Sequence, residues 1–305
     1  MTNMGIMSEK RGTLRVVSFL AATTVSLLAL AFASSAFALK PTGDYVNFGD
    51  CPLSNPATVG CVFAQSTSGE FKIGSTTVPL TNTITLQGGL AILHPEEEAS
   101  FTEAADGKTL SKTPQTVPGG LLKIMAPEFF PEPLKKIFNE FVNKGITGVT
   151  ATTELVATPS LSLGKAIEGS GIALSLPIRV HLENSFLGNN CFIGSKASPV
   201  TVGFTTGTTS PPPPNTPITG SPGEIEFKDE FNLIVDKKNS LVNNSFAAPE
   251  AEGCGSQILF GLFTGLIDGA VDSQLGLPSA AGHNTAILNG NEEVGVAEAV
   301  RASEK

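Results

Sequence analysis

The chain has no tryptophan and only one tyrosine, Tyr45, in 305 residues. Flat aromatic side chains are the usual platforms for sugars and for unpaired bases, so their scarcity argues against carbohydrate and single-stranded nucleic-acid binding. A formal net charge of −9 argues further against nucleic acid, because phosphate contacts need a basic surface. Charged residues make up only 15% of the chain and hydrophobic residues 41%, which excludes a highly charged, disordered protein.

The first 38 residues have the layout of a secretory signal peptide. Three basic residues precede an apolar run over residues 16–33, and Ala36 and Ala38 form a small-x-small cleavage pattern. We expect cleavage after Ala38, which leaves one secreted β-rich domain over residues 39–305. The alternative is an uncleaved membrane anchor, because the run approaches the length that spans a bilayer.

The remaining chain has no second segment long enough to cross a membrane. Its longest uncharged apolar stretch, residues 258–267, is too short. Since the signal segment carries a net charge of +2, the mature protein would carry −11, which favours solubility. We therefore expect a secreted, extracellular protein, free or associated with the cell wall, that is not transmembrane. Its oligomeric state stays open.

Four cysteines lie in the mature region, and an even number in an exported chain indicates disulfides. Three pairings are possible, and we favour Cys51–Cys61 and Cys191–Cys254. The first pair closes a short loop with two prolines and a glycine, residues that suit a compact turn. A zinc site is disfavoured, because none of the three histidines lies near a cysteine in sequence.

Alternation of apolar and polar residues predicts a mainly β fold. It recurs in residues 78–86, 149–155, 172–182, 200–204 and 225–235, with turn-forming residues between the segments. This pattern is typical of an antiparallel sandwich-like or barrel-like domain. Residues 78–86 fit either one half-buried strand or a hairpin.

Two short helices are expected to pack against the sheets. The first shows helical spacing of Leu134, Ile137, Phe138, Phe141 and Val142, begins near Pro131 and Pro133 and is capped by Gly145. The second covers residues 256–275. Its glycines at 261, 265 and 269 would allow close packing, and Asp268 and Asp272 favour a buried helix of a soluble protein over a membrane dimer motif.

Two polar segments are predicted to lie outside the core. Residues 205–223 contain four consecutive prolines, which impose extended polyproline II structure. A Cys191–Cys254 bridge would make this segment a long surface loop within one domain rather than a linker. The C-terminal residues from about 290 are polar, and we expect a flexible tail that frays from Glu292.

Familiar catalytic motifs are absent from the sequence, and we predict no catalytic, cofactor-binding or metal-binding residue. Arg179, His181 and Glu183 share one strand face, where Glu183 would raise the pKa of His181, but a solvated face with cross-strand pairs is the preferred interpretation. Ser170, between Gly169 and Gly171, is interpreted as a turn. The Glu96-Glu97-Glu98 run lacks calcium-loop spacing.

Several stretches indicate a family. The mature chain resembles a group of uncharacterised exported proteins of high-GC, Gram-positive actinobacteria in residues 81–89, 110–114, 117–121, 125–127, 148–155, 205–214 and 277–282. The resemblance implies export from a bacterial host. It carries no activity and no catalytic residue to this chain.

The leading hypothesis for function is a non-enzymatic secreted or wall-associated protein that binds an unidentified envelope or extracellular partner or displays a structure. The alternatives are a secreted hydrolase whose residues converge only in three dimensions, and a membrane-active protein that uses the Gly-rich helix 256–275. A deep cleft joining His181 or His283 to a serine or to carboxylates would favour the hydrolase.

Overall fold

The computed structural model describes residues 40–94, 96–122, 126, 128–144, 147–256 and 264–305. All of these residues belong to one compact unit. The predicted signal peptide lies outside the described residues. No helix in the described part of the chain combines the length and apolar composition needed to cross a bilayer.

The protein is mainly β, as the alternating pattern predicts, and its strands join in one antiparallel sheet of fourteen strands. The first seven are β1 (Gly60–Ile73), β2 (Thr76–Pro79), β3 (Ile84–Leu90), β4 (Ala99–Thr102), β5 (Gln115–Thr116), β6 (Thr150–Leu155) and β7 (Ser160–Leu161). The others are β8 (Leu174–Glu183), β9 (Phe192–Ile193), β10 (Val200–Phe204), β11 (Glu224–Lys228), β12 (Leu233–Asn243), β13 (Ala251–Glu252) and β14 (Thr285–Val296).

Short helices connect or flank the strands. The α-helices are α1 (Glu132–Lys144), α2 (Leu163–Glu168), α3 (Thr264–Leu275) and α4 (Ala297–Ala302), and single 3₁₀ turns occupy Gly43–Phe48, Gly120–Leu122 and Asp229–Phe231.

The sheet curls until its strands form a ring. Neighbouring strands follow the order β12, β14, β1, β3, β4, β7, β8 and β10. The ring closes because Thr205, just after β10, exchanges two backbone hydrogen bonds with Val242 of β12, at 3.0 and 2.8 Å. The arrangement is therefore barrel-like, one of the two forms that the sequence predicts.

Strong curvature is concentrated at Gly290 of β14. This residue pairs with Ser66 of β1 on one side and with Asn239 of β12 on the other, and both neighbouring strands shift register there by a bulge. A Cβ atom at Gly290 would lie 1.8 Å from the carbonyl oxygen of Gln65. Only glycine fits such a close approach, and bulges increase local twist, so the sheet bends here.

The ring encloses an apolar core. Val200, Val202 and Phe204 of β10 have no exposed surface, and Ile178 of β8 packs with them. A second, smaller cluster contains Tyr45, Phe48 and the Cys51–Cys61 disulfide, and it packs beneath Val300 of α4. Burial on one face of each strand matches the period-2 pattern of the sequence.

Residues 78–86 form neither one continuous strand nor a hairpin. They include the end of β2 and the start of β3, and a break at residues 80–83 separates the two. β2 pairs with the second half of β1, and β3 pairs with its first half. The alternation therefore continues across two strands, each of which pairs with a different part of β1.

The first predicted helix is present as α1, but its apolar face is not fully packed. Leu134 and Ile137 are exposed, Ile137 by 64%, while Phe138 contacts the ring of Phe130 edge to face. Asn139 and Asn143 accept backbone hydrogen bonds from Ala126 and Gly119, so the helix is attached to the preceding loop through polar contacts. Gly145 lies outside the described residues.

The second predicted helix is present as α3, which begins at Thr264. Residues 257–263, including Gly261, lie outside the described residues. No described atom lies within 4 Å of a Cβ atom placed at Gly265 or Gly269. The expected close packing on this glycine face is therefore wrong at these two positions, and Leu266 beside them is 73% exposed.

The segment from about residue 290 continues as strand and helix, contrary to the predicted flexible tail. Glu292 lies within β14, where it pairs with Asp236 of β12 and Ala64 of β1. α4 follows, with Ala297 and Val300 buried, and Lys305 pairs with Lys40 through the backbone. The polar composition of this segment led to the wrong prediction. Pairing with strands that are distant in sequence orders the segment, and the local sequence does not show this pairing.

The Pro-rich segment is a loop within the same domain, as predicted, because strands of one sheet flank it. Thr208 pairs with Thr219 across its base, and Asn215 is held by Gly282, Asn244 and Asn284. The chain turns at residues 213–214, so the four prolines do not form one continuous extended segment.

Candidate functional site

A cavity of about 590 Å³ lies at one end of the ring. One wall is the hairpin of β1 and β2, which contributes Phe71, Ile73 and Val78, and the opposite wall contains β6 and β8. α3 forms a third wall through residues such as Ile267 and Val271. A volume of this size is typical of sites that hold a small organic molecule.

Two aspartates fix α3 in place as a wall of the cavity. Asp268 Oδ1 accepts a hydrogen bond from the backbone N–H of Cys254 at 2.7 Å, and Asp272 Oδ1 accepts one from Ala251 at 2.7 Å. At the other end of the helix, the carbonyl of Leu275 accepts a bond from Ser75 at 2.8 Å. These aspartates are not a solvated helix face, because they join α3 to the sheet.

The Cys191–Cys254 disulfide extends this attachment to the centre of the sheet. The two Cα atoms lie 4.0 Å apart and are separated by 63 residues in sequence. Cys191 directly precedes β9, which pairs with β8. The segment that carries α3 is therefore joined covalently to the strands of the opposite wall. Both observed disulfides are the pairs that the sequence favours.

The described residues that line the cavity carry no charge, and none is histidine, serine or cysteine. The polar ones are Thr76, Gln115, Thr153 and Gln274. The side chain of Gln115 is already engaged, since its Oε1 accepts bonds from Thr81 and Asn82 and its Nε2 donates to the Asn82 carbonyl. The surface offered to a ligand is therefore almost entirely hydrocarbon.

The rim of the cavity is marked by lining residues that also reach solvent. Phe186 is 51% exposed, and Ala270 and Gln274 of α3 are exposed as well. Phe186 sits in a tight turn in which Asn184 Oδ1 accepts its backbone N–H at 2.8 Å. Asx turns of this kind hold a short segment in a defined shape. The turn thus holds the backbone of Phe186 at the opening.

Arg179, His181 and Glu183 lie on the face of β8 that points away from the buried residues, as predicted. Arg179 donates two hydrogen bonds to Glu154, its cross-strand partner, and lies 3.9 Å from the ring centre of Phe192. His181 stacks on the same ring at 4.5 Å. The predicted cross-strand pair is therefore present, but the predicted solvation is wrong for His181, whose side chain is only 16% exposed and whose Nε2 is buried without a hydrogen-bond partner among the described residues.

Hydrogen bonds to charged groups set the pKa of Glu154 beside this face of β8. Hydrogen bonds from Lys112 and Arg179 lower the pKa of Glu154, although its burial acts in the opposite direction. His181 Nδ1 lies 4.0 Å from Glu183 Oε1, which is beyond hydrogen-bonding distance, and Glu183 accepts bonds from Thr150 and Thr152 instead. Glu183 and His181 are therefore not arranged as an acid–base pair.

The remaining sequence candidates are structural or exposed. Ser170 follows the αL residue Gly169 that caps α2, so the Gly-Ser-Gly stretch is a turn, as interpreted. In the acidic run, Glu98 accepts a hydrogen bond from Ser160. His283 is exposed and does not line the cavity. Across the part of the chain that the structure describes, no group of three His, Cys, Asp or Glu residues is placed to hold a metal ion.

Sequence reasoning did not identify the cavity or Phe186. An alternating strand has the same pattern whether its apolar face meets a neighbouring side chain or an open space. The one available signal was Phe186 itself, a large apolar residue between Asn184 and Gly188 in a turn that would otherwise be polar. No protein-family model, curated protein or solved structure matches the chain.

Proposed function

We propose that this protein is exported and binds the apolar part of a small molecule in the cavity between the β1–β2 hairpin and α3. The observation that carries the proposal is a cavity of about 590 Å³ whose described lining is uncharged. Burial of a hydrocarbon group against such a lining is favourable, by about 25 cal/mol for each Å² removed from water. A binding function agrees with the leading hypothesis drawn from the sequence.

Export is supported by the signal-peptide pattern, by the two disulfides and by the resemblance to exported actinobacterial proteins. Disulfides persist in oxidising compartments. An extracellular or wall-associated protein with an apolar cavity would hold a molecule that is poorly soluble in water.

The test uses a neutral fluorescent probe, N-phenyl-1-naphthylamine, whose emission rises in apolar surroundings. We expect saturable binding to the mature protein and loss of binding in Ala151→Phe, which places a ring inside the cavity from β6. The matched control is Ala247→Phe, an exposed alanine that does not line the cavity. Absence of saturable binding of both this probe and 1-dodecanol, or equal probe binding by both variants, would overturn the proposal.

Membrane contact is a second candidate function, and exposed apolar side chains favour it. Leu266 on α3, Ile137 on α1 and Phe129 before α1 are all more than half exposed. A leakage assay with liposomes tests it. Leu266→Asp should abolish leakage under this hypothesis, and its probe binding in the cavity should stay unchanged.

A further inference from the structure

We infer that the cavity takes a single-chain aliphatic amphiphile, whose hydrocarbon chain enters past Phe186 and ends against Phe71 while its polar end stays at the rim. This inference rests on the proposed function and adds a ligand class, an orientation and a residue that limits chain length.

The chemistry of the lining selects an aliphatic chain. The described lining contains only two aromatic rings, Phe71 and Phe186, and the second lies at the rim. Valine, leucine, isoleucine and alanine supply most of the rest. A planar aromatic ligand gains from stacked or edge-on rings, whereas a flexible chain conforms to branched aliphatic side chains. The interior therefore favours a hydrocarbon chain over a flat ring system.

The position of the polar end follows from the cost of burying it. The described lining has no charged partner for an ionised group, and the amide of Gln115 is occupied by Thr81 and Asn82. The hydroxyl of Thr76 is buried there without a partner in the described part of the chain, but one hydroxyl cannot replace the water around an ionised or strongly hydrated group. A buried polar group without a partner costs more than the chain methylenes nearby contribute. The polar end consequently lies where Ala270, Gln274 and Phe186 meet water.

Phe71 forms the inner end of the cavity. A separate void of about 40 Å³ lies beyond it, and the two spaces share Phe71, Ile84 and Thr153 in their linings. The ring of Phe71 packs edge-on against the fully buried Phe204, with centroids 6.4 Å apart. A chain in the larger cavity therefore meets this ring before it reaches the void.

The void beyond Phe71 could accept an aliphatic chain if the ring were removed. Its walls include Leu86, Leu174, Leu176, Leu241 and Leu288. Such a space is close to the volume of one water molecule but is lined mainly by hydrocarbon, so it stays dry. Replacing Phe71 with a small residue joins the two spaces and lengthens the path for a chain.

The experiment measures displacement of N-phenyl-1-naphthylamine by straight-chain primary alcohols of increasing length. Affinity should rise about fourfold with each added methylene until the chain reaches Phe71, and then level off. Phe71→Ala should move this limit to a longer alcohol. Phe71→Leu keeps an apolar side chain against Phe204 and should give a smaller shift. It allows the same test if the alanine variant does not fold.

Two further comparisons test orientation and ligand class. Phe186→Ala should weaken all alcohols but leave the length limit unchanged, because it acts at the rim. Fatty acids should bind within a few fold of alcohols of equal length, since both polar ends lie in water. Anthracene should compete less well than an alcohol of equal carbon number.

The outcomes separate the two proposals. If neither the probe nor 1-dodecanol, whose binding is followed by isothermal titration calorimetry, binds saturably, the proposed function fails. If the probe binds but Phe71→Ala and Phe71→Leu leave the length limit unchanged, or anthracene competes better than the alcohols, the aliphatic-chain inference fails while the proposed function stands.

Discussion

Asp236 and Glu292 lie directly opposite each other on the adjacent strands β12 and β14. Burial raises the pKa of Glu292 to about 7, and the charge of Asp236 contributes to the increase. Burial also raises the pKa of Asp236 to about 6, although a hydrogen bond from Asn239 acts in the opposite direction. Two acidic side chains therefore lie side by side in the sheet, and they do not both ionise readily.

This pair makes stability depend on pH. The folded protein keeps protons that the unfolded chain releases at its ordinary carboxyl pKa values of 3.8 and 4.5. The free energy of unfolding should therefore fall as pH rises from about 4 to 7, because the folded protein must give up these protons or hold buried charges. Urea unfolding across this pH range measures the effect.

The variant Glu292→Gln provides the control for the pH effect. It keeps the shape of the side chain and removes its charge, so the loss of stability with rising pH should become shallower. Asp236→Asn should act in the same direction, and the two effects should not add, because the residues interact. An unchanged slope in Glu292→Gln would contradict the assignment.

Removal of the disulfides should affect stability and binding differently. In the chain-entropy model, loss of the bridge between Cys191 and Cys254, 63 residues apart, costs about 4 kcal/mol. The corresponding cost for Cys51 and Cys61, ten residues apart, is about 3 kcal/mol. Double alanine variants measured by thermal unfolding test this order.

Binding distinguishes the two bridges further. Only the Cys191–Cys254 bridge lies beside α3, so its removal should also weaken probe binding under conditions where the protein stays folded. Removal of the Cys51–Cys61 bridge should leave probe binding unchanged. Equal losses of binding in the two variants would show that α3 does not depend on this attachment.

Asn284 connects three distant segments and should be critical for stability. It has no exposed surface, its Oδ1 accepts the backbone N–H of Gly74 at 2.8 Å, and its Nδ2 donates to the carbonyl of Phe246 at 2.8 Å. Asn284→Ala leaves both backbone groups without their partner, at a cost of about 2–4 kcal/mol. Chemical unfolding measures this, and the exposed Asn47→Ala should cost less than about 0.5 kcal/mol.

The Pro-rich loop should tolerate deletion less well than its composition indicates. Removing residues 211–214 pulls Asn215 away from Gly282, Asn244 and Asn284, which hold it by hydrogen bonds. We expect a loss of about 3 kcal/mol, at about 1 kcal/mol for each of the three hydrogen bonds. Pro212→Ala, at an exposed position, is the control and should have little effect.

A second variant tests whether the side chain of Asn215 accounts for the loss of stability. Asn215→Ala in the full-length loop should reproduce most of the loss caused by the deletion. If the deletion leaves stability unchanged, the hydrogen bonds of Asn215 contribute little to the stability of the fold.

The sequence predicts much of the fold because alternation is local. Most of the alternating segment 172–182 is β8, in which every second residue from Leu174 to Leu182 is apolar and buried, whereas Ile172 lies before the strand and is exposed. Glu292 was assigned to a frayed tail because its partners, Ala64 and Asp236, lie far away in the chain. The cavity could not be predicted for the same reason. Phe71 and Val271 line one space although 200 residues separate them in sequence.

The pairing of β14 has a consequence for how the protein is made. β14 lies between β1 and β12, yet it follows every other strand of the described chain in sequence. A polypeptide that emerges from the ribosome, or crosses a membrane, with its N-terminus first must expose β1 and β12 before the strand that joins them appears. Unpaired strand edges invite pairing with other chains. Completion of the ring therefore coincides with the arrival of residues 285–296, and in shortened chains that lack them one edge of β1 and one edge of β12 stay unpaired.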